Sequence, residues 1–367
     1  MRIRRTALVV VLLAALLAGV WPGQAAPAAQ VLVETDPPAP AIVPDDTLVT
    51  TRLRVVDANG MPVRGARVAL HLDTPPRPKV ITTDFPHVEG TTLIDLETVL
   101  PDGELRFQAV YPIRGTYTFR ARVTLPDGQI VEATPTLSIR ENPAEVRNML
   151  IMVGLLFAFG FVSGLIVGSG RKRAGVAALV LAAFWLTGST ALAHNPSGKE
   201  PSAQAGPVTV TAEADGLRAT VTISPGSGAV GRLNEIVVRL TTADGQPVAG
   251  QISLAAIHLE DNVPIYRFDD LPLDDDGTAR VAVQFFDGTE HELRFTARAT
   301  DGRAVAWQVP VEVVGFPPPL NVKVRMWLLL LAVVALGLFL GLWVSGRRAD
   351  RQLASSGGYQ YSTAHRN

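Results

Sequence analysis

Three stretches of this chain, 149–170, 174–193 and 326–345, are apolar throughout and contain no Asp, Glu, Lys or Arg. Each is long enough as a helix to cross the roughly 30 Å of hydrocarbon in a bilayer. A buried helix in a soluble core imitates one such run, but three uncharged runs in one chain predict membrane spans. They also account for a composition that is 47% hydrophobic and only 18% charged, more apolar than a soluble domain of this charge content.

The topology follows from the basic residues. Arg171, Lys172 and Arg173 follow the first span, and Arg347, Arg348 and Arg351 follow the third; basic loops stay on the cytoplasmic face. Both long polar segments, 27–145 and 196–322, are then expected outside. Residues 1–25 carry Arg2, Arg4 and Arg5, an apolar run over 6–20, and small residues Gly23 and Ala25, the layout of a cleavable secretion signal, with an uncleaved anchor as the alternative. The second run has the same layout, because 171–173 is basic and Ala191-Leu192-Ala193 ends it. The tail 346–367, rich in Ser, Gly and Tyr, is expected to be cytoplasmic and disordered.

The polar segments read as short alternating strands separated by turn pairs. In the second, the expected strands are 208–214, 217–223, 235–241, 252–259, 279–285, 292–299 and 305–314. Asp-Gly pairs at 244–245, 276–277, 287–288 and 301–302 suit hairpins that need positive φ. Seven strands fit an immunoglobulin-like sandwich. The first segment repeats the pattern: Ala58-Asn59-Gly60-Met61-Pro62-Val63-Arg64-Gly65 aligns with Ala243-Asp244-Gly245-Gln246-Pro247-Val248-Ala249-Gly250. Likewise Phe119-Arg120-Ala121-Arg122 before Asp127-Gly128 aligns with Phe295-Thr296-Ala297-Arg298 before Asp301-Gly302. The spans repeat too, Gly160, Gly164 and Gly168 recurring as Gly337, Gly341 and Ser345. The reading is therefore a duplicated unit of leader, sandwich and anchor. The fold class is all-β, two immunoglobulin-like sandwiches over 27–145 and 208–316 after a linker at 194–207, plus transmembrane α-helices.

A net charge of −1 without a basic stripe gives no affinity for nucleic acid. The absence of cysteine removes disulfides, thiolate metal sites and thiol nucleophiles together. No nucleophile with a base, metal-binding helix or phosphate-cradling glycine loop is recognisable, so the expectation is a protein without enzymatic activity. Small residues at every fourth position make a smooth helical face for close backbone approach. Gly160, Gly164, Gly168, Gly337, Gly341 and Ser345 are thus the expected helix-packing residues, either for each other or for a separate membrane subunit.

Imidazole is the remaining candidate ligand for metal. His258 and His291, with a carboxylate such as Glu260 or Glu290, form the set that convergence in the second sandwich would assemble. The bland reading is surface strand histidines. His194 would become a chelating amino terminus if the chain were cut after Ala193. His71 lies late in the strand corresponding to that of His258, while His87 falls in a loop. Asp269, Asp270, Asp274, Asp275 and Asp276 offer hard oxygen ligands of the calcium-binding kind, but without the spacing of an EF-hand loop, and a solvated acidic turn is the better reading.

The Gly60-x-Pro62-Val63-x-Gly65 turn, the strand Gly115-Thr116-Tyr117-Thr118-Phe119 and the leader-like ending Ala191-Leu192-Ala193-His194 resemble the bacterial YtkA-like and CopC-like exported domains. The resemblance implies immunoglobulin-like folds, and for some members copper binding or a part in copper transport and terminal-oxidase assembly. The methionine-rich or paired-histidine ligand sets of copper carriers are missing here. The expected function is a non-enzymatic binding or scaffold protein of the bacterial cytoplasmic membrane, an accessory subunit alongside other membrane proteins. The alternative is extracytoplasmic copper handling.

Overall fold

The computed structural model describes residues 29–79, 81–168 and 206–356. The leader, the basic loop 171–173, the second apolar run, nearly all of the linker with His194, and residues 357–367 lie outside these. Within them the chain is β-structure followed twice by a long helix. The first half runs β1 (Ala29–Asp36), β2 (Leu48–Asp57), β3 (Ala66–Asp73), β4 (Thr92–Leu100), β5 (Glu104–Val110), β6 (Gly115–Thr124), β7 (Ile130–Ala133) and β8 (Thr136–Ile139), then α1 (Pro143–Gly168). The second runs β9 (Val208–Ala214), β10 (Leu217–Ser224), β11 (Gly228–Ala229), β12 (Leu233–Thr242), β13 (Gly250–His258), β14 (Val263–Pro272), β15 (Thr278–Gln284), β16 (Glu290–Ala299) and β17 (Ala304–Val314), then α2 (Leu320–Ser356).

The strands alternate buried and exposed positions, as in β3, β6, β16 and β17, so each lays one face on a core. They form two sheets, ordered β1-β2-β5-β14-β13-β16-β17-β11 and β7-β6-β3-β4-β15-β12-β10-β9, with β8 also pairing β6. Their inward side chains make one continuous hydrophobic cluster. Two separate sandwiches were expected, but each sheet runs through both halves of the chain. The seam is reciprocal: β5 pairs antiparallel with β14, placing Phe107 opposite Phe268, and β4 pairs antiparallel with β15, placing Glu97 opposite Arg280. Pairing in this way covers the four sheet edges, β5, β14, β4 and β15, that separate sandwiches would leave open.

All seven strands expected in the second segment lie within two residues of their predicted bounds, 252–259 corresponding to β13. Sequence reasoning missed the two-residue β11 and also β14, which carries Pro264 and Pro272 and the pair Asp269-Asp270. Its pairing with β13 is interrupted twice by register shifts, and Asp270 sits at φ 55°, which blurs the period-two pattern. The aligned turns match in geometry. Gly60 and Gly245, Gly103 and Gly277, and Gly128 and Gly302 all have positive φ, and Val56–Pro62 and Thr241–Pro247 form equivalent bridges. Gly288 does not follow the expectation for its Asp-Gly pair, since its φ is not among the positive ones. A side chain there would collide with the backbone of Gly315, so close approach requires this glycine.

Both helices are long and apolar enough to cross a membrane. The first starts at Pro143, earlier than its apolar run: Asn142 caps it by accepting the Ala144 N–H at 2.9 Å, and proline suits the first helical position. The last helix continues to Ser356, where disorder was expected from 346 onward. Arg347, Arg348, Arg351, Gln352 and Leu353 are good helix formers that extend an existing ladder. Leu150, Leu155, Leu328 and Phe339 point outward on the pair and are exposed.

The two helices pack on each other through the repeated small residues. A Cβ on Gly160 would strike the Val334 carbonyl, one on Gly164 the Leu338 carbonyl, one on Gly337 the Phe157 carbonyl and one on Gly341 the Phe161 carbonyl. Gly168 instead faces the Ser345 side chain, and a Cβ added there would fall 2.6 Å from that of the serine. The contact advances in step along both helices, so they run parallel and leave the same end of the head. Of the two roles left open for these residues, the structure displays mutual packing.

Candidate functional site

The end of the head from which the helices leave gathers most of the unusual chemistry. His258 is the last residue of β13 and stands opposite His291 near the start of β16. Their rings meet edge to face with centroids 5.3 Å apart, and Phe285 packs on His291 at 4.7 Å. Both histidines are buried, with 6% and 1% of their surface exposed, so these are not the surface strand histidines of the bland reading.

Each ring is fixed by its neighbours. His258 faces Asp261 through Nδ1 at 3.2 Å and Asp287 through Nε2 at 3.4 Å. A carbonyl only accepts, so the 3.1 Å contact between His291 Nδ1 and the Thr289 oxygen places the ring proton on Nδ1 and leaves Nε2 with its lone pair. Burial holds the His291 pKa down to about 4, against the opposing pull of that hydrogen bond. This imidazole is therefore neutral at ordinary pH.

Glu260 approaches through Thr289, whose hydroxyl donates to its Oε1 at 2.9 Å. Glu290 contributes its backbone carbonyl to the Leu259 N–H. Among the described residues no group of three or more histidines and carboxylates is placed to hold a metal ion. The structure thus brings His258 and His291 together without completing a ligand set around them. Elsewhere, His71 pairs with Asp95 at 3.2 Å on an exposed face.

Four of the five aspartates of the acidic segment are divided among separate tasks. Asp270 accepts from Gln251 at 2.9 Å, Asp269 pairs with Arg267, Asp274 pairs with Arg67 across the seam, and Asp276 caps the Thr278 N–H. They are used in turns and surface pairs.

A second group of carboxylates was not singled out from the sequence. Asp45, held at φ 63° with its N–H on the Tyr111 carbonyl at 3.0 Å, lines a small cavity with Asp84, Arg114, Glu141 and Glu145. Its pKa is raised to about 7, first by partial burial and then by the negative charges of Asp287, Asp84 and Glu145, while His258 acts in the opposite direction. Burial also raises Glu141, opposed by its ion pair with Arg114. These groups come from the β1–β2, β3–β4 and β5–β6 connections, the entrance to α1 and the β15–β16 turn. Asp45-Asp46 after Pro44 reads as an ordinary turn, so no local signal marks the cluster.

The β3–β4 connection, 74–91, ties this end to the second half and to α2. His87 Nε2 lies 3.1 Å from the Pro317 carbonyl and its ring packs on Phe316. Phe85 meets Phe286 edge to face at 5.7 Å, and Arg325 donates to the Lys79 carbonyl at 2.8 Å. Apolar and aromatic side chains of both halves line the groove between them.

No protein-family model matches the sequence, and no curated protein matches it either. Among solved structures the chain is similar to CopC from Methylosinus trichosporium OB3b, at 12% identity and TM-score 0.21, over 30% of this chain and 99% of that one. It is similar to invasin, a bacterial integrin-binding protein, at 12% identity and TM-score 0.20, over 79% of this chain and 40% of that one. A third is a trypsin-activated alpha-2-macroglobulin from Escherichia coli, at 12% identity and TM-score 0.22, over 78% of this chain and 16% of that one. The chain thus spans less than half the length of the two larger proteins.

Proposed function

We propose that this protein is a non-enzymatic scaffold of the bacterial cytoplasmic membrane, a duplicated immunoglobulin-like head held outside by α1 and α2, and that it serves as an accessory subunit of a membrane complex. The observation that carries the reading is the double seam. The head's halves share both sheets, and the helices beneath share a glycine contact, so the outer surface is held at a fixed position relative to the membrane. A rigid platform of this kind suits the presentation of a binding surface better than turnover of a substrate. Because the glycine faces cover each other, a partner subunit would meet the outer faces of the helix pair or the head itself.

Affinity purification of the full chain in mild detergent tests this, with stoichiometric membrane partners as the expected result. Recovery of the chain alone, in two detergents and with chemical crosslinking before lysis, would count against the subunit role. Protease added to intact spheroplasts tests the sidedness, since both halves of the head should be cut together. The buried pair His258 and His291 keeps copper handling as a second reading. It predicts copper in the purified protein that is lost in His258→Ala, and a metal-free wild type decides against it.

A further inference from the structure

The start of each helix carries basic residues on the head side, where the bias that orients spans counts against them. Arg147 lies in the second turn of α1, while Lys323 and Arg325 immediately precede the apolar run of α2 that begins at Met326. Following the glycine register back along the parallel helices, from Gly160 against Val334 and Leu338, brings Arg147 level with Lys323. The β3–β4 connection adds a fourth cation: the hydrogen bond from Arg325 to the Lys79 carbonyl fixes exposed Lys79 at the same height. That connection is itself braced by His87 against Phe316 and Pro317.

None of these four cations forms an ion pair with a carboxylate among the described residues, whereas neighbouring Arg77 is paired with Glu89 and Arg114 with Glu141. Glu145, the acid nearest along α1, lines the carboxylate cavity. Two helices and a braced loop thus present unneutralised positive charge where the apolar surface begins. In a bilayer this is the depth of the phosphate groups, and basic residues there attract anionic lipid.

We propose that Lys79, Arg147, Lys323 and Arg325 form a collar that binds the phosphates of anionic phospholipids in the outer leaflet and sets the height of the head above the membrane. The inference rests on the reading of α1 and α2 as spans with the head outside. Arginine and lysine serve differently here, the guanidinium groups engaging phosphate by paired donors and the lysines as point charges.

The test uses the full chain reconstituted in vesicles of phosphatidylcholine with spin-labelled phosphatidylglycerol or spin-labelled phosphatidylcholine as the probe. Wild type should immobilise the anionic probe in preference to the neutral one, and high salt should reduce the preference. Each collar charge is worth up to about fivefold in association, so Lys79→Gln/Lys323→Gln/Arg325→Gln should reduce the preference severalfold. Arg347→Gln/Arg348→Gln, at the opposite end of α2, should leave the collar's share in place. Unchanged thermal unfolding of the triple variant establishes that its fold is intact, and Arg147→Gln gives an independent, smaller loss. A preference undiminished in the triple variant, or its absence in wild type, overturns the collar while leaving the spans standing. Release of the protein from membranes by alkaline carbonate would overturn the spans and the collar together.

Discussion

The two halves of this chain meet twice, and the two contacts obey different physics. In the head they join edge to edge, with Phe107 stacked on Phe268 at 5.8 Å and strand ladders closing what would be open sheet edges. There the removal of apolar surface from water is the dominant drive. Between the helices, read as membrane spans under the proposed function, apolar side chains would gain nothing from leaving one hydrocarbon for another, so association depends on close backbone approach at glycine. Each contact is reciprocal: β4 with β15 answers β5 with β14, and Gly160 on the Val334 carbonyl answers Gly337 on that of Phe157. The lesson is that one pseudo-symmetric arrangement is held by large side chains above and by their absence below.

Four measurements break or sharpen that contrast. The largest effect is expected from Phe268→Ala, which empties a fully buried site at the upper seam and should lower head stability by about 3–5 kcal/mol. Denaturant unfolding in detergent reads it, and amide exchange in α1 should stay unchanged. The converse is Gly164→Val, which forces a side chain against the Leu338 carbonyl and should weaken the helix pair by about 1–3 kcal/mol. Amide exchange should rise in α1 and α2 while the strands keep their protection. If either substitution loosens both regions, the seams are coupled and the contrast fails.

The remaining two concern pH. His291 has its pKa lowered from 6.5 to about 4 in the fold, so the unfolded chain takes up its proton first as pH falls. Stability is full above 6.5 and declines between there and 4, by up to about 1.4 kcal/mol per pH unit. His291→Phe should flatten that decline in a pH series of unfolding curves, although losing the Thr289 hydrogen bond lowers the plateau. Asp45 behaves oppositely. Its pKa is raised from 3.8 to about 7, so its cost is absent in acid, grows as pH rises through this window, and is complete above it. Asp45→Asn should therefore stabilise the head only toward neutral and alkaline pH, by no more than about 1 kcal/mol because the residue is only partly buried and solvent screens it.

The halves also differ in one connection. Between β3 and β4 the chain makes the long excursion 74–91, while β13 and β14 are linked by the short turn 259–262. The long loop reaches α2, packs Phe85 on Phe286 and carries Lys79 to Arg325. This difference between the halves falls at the helix-proximal end, where the buried histidines and the raised carboxylate also lie, whereas the matched turns at Gly60 and Gly245 are alike.

Much of this was legible in the residues. Alternation with positive-φ glycines marked the strands, uncharged runs marked the helices, and four-residue glycine spacing marked the faces that touch, because these are local periodicities of the backbone. The same local logic failed at β14, where two prolines and register shifts break the alternation, and at Gly288, which is small because Gly315 lies against it. Sequence placed His258 and His291 as partners but could not supply their burial or show that no third ligand joins them among the described residues, and it gave no hint of Asp45. Which edges join, which helix face meets which, and how carboxylates from separate connections come to share one cavity were decided only by tertiary structure. Edge pairing, burial and Coulomb interaction act through space between residues far apart in the chain, and periodicity records only what neighbours along the chain require.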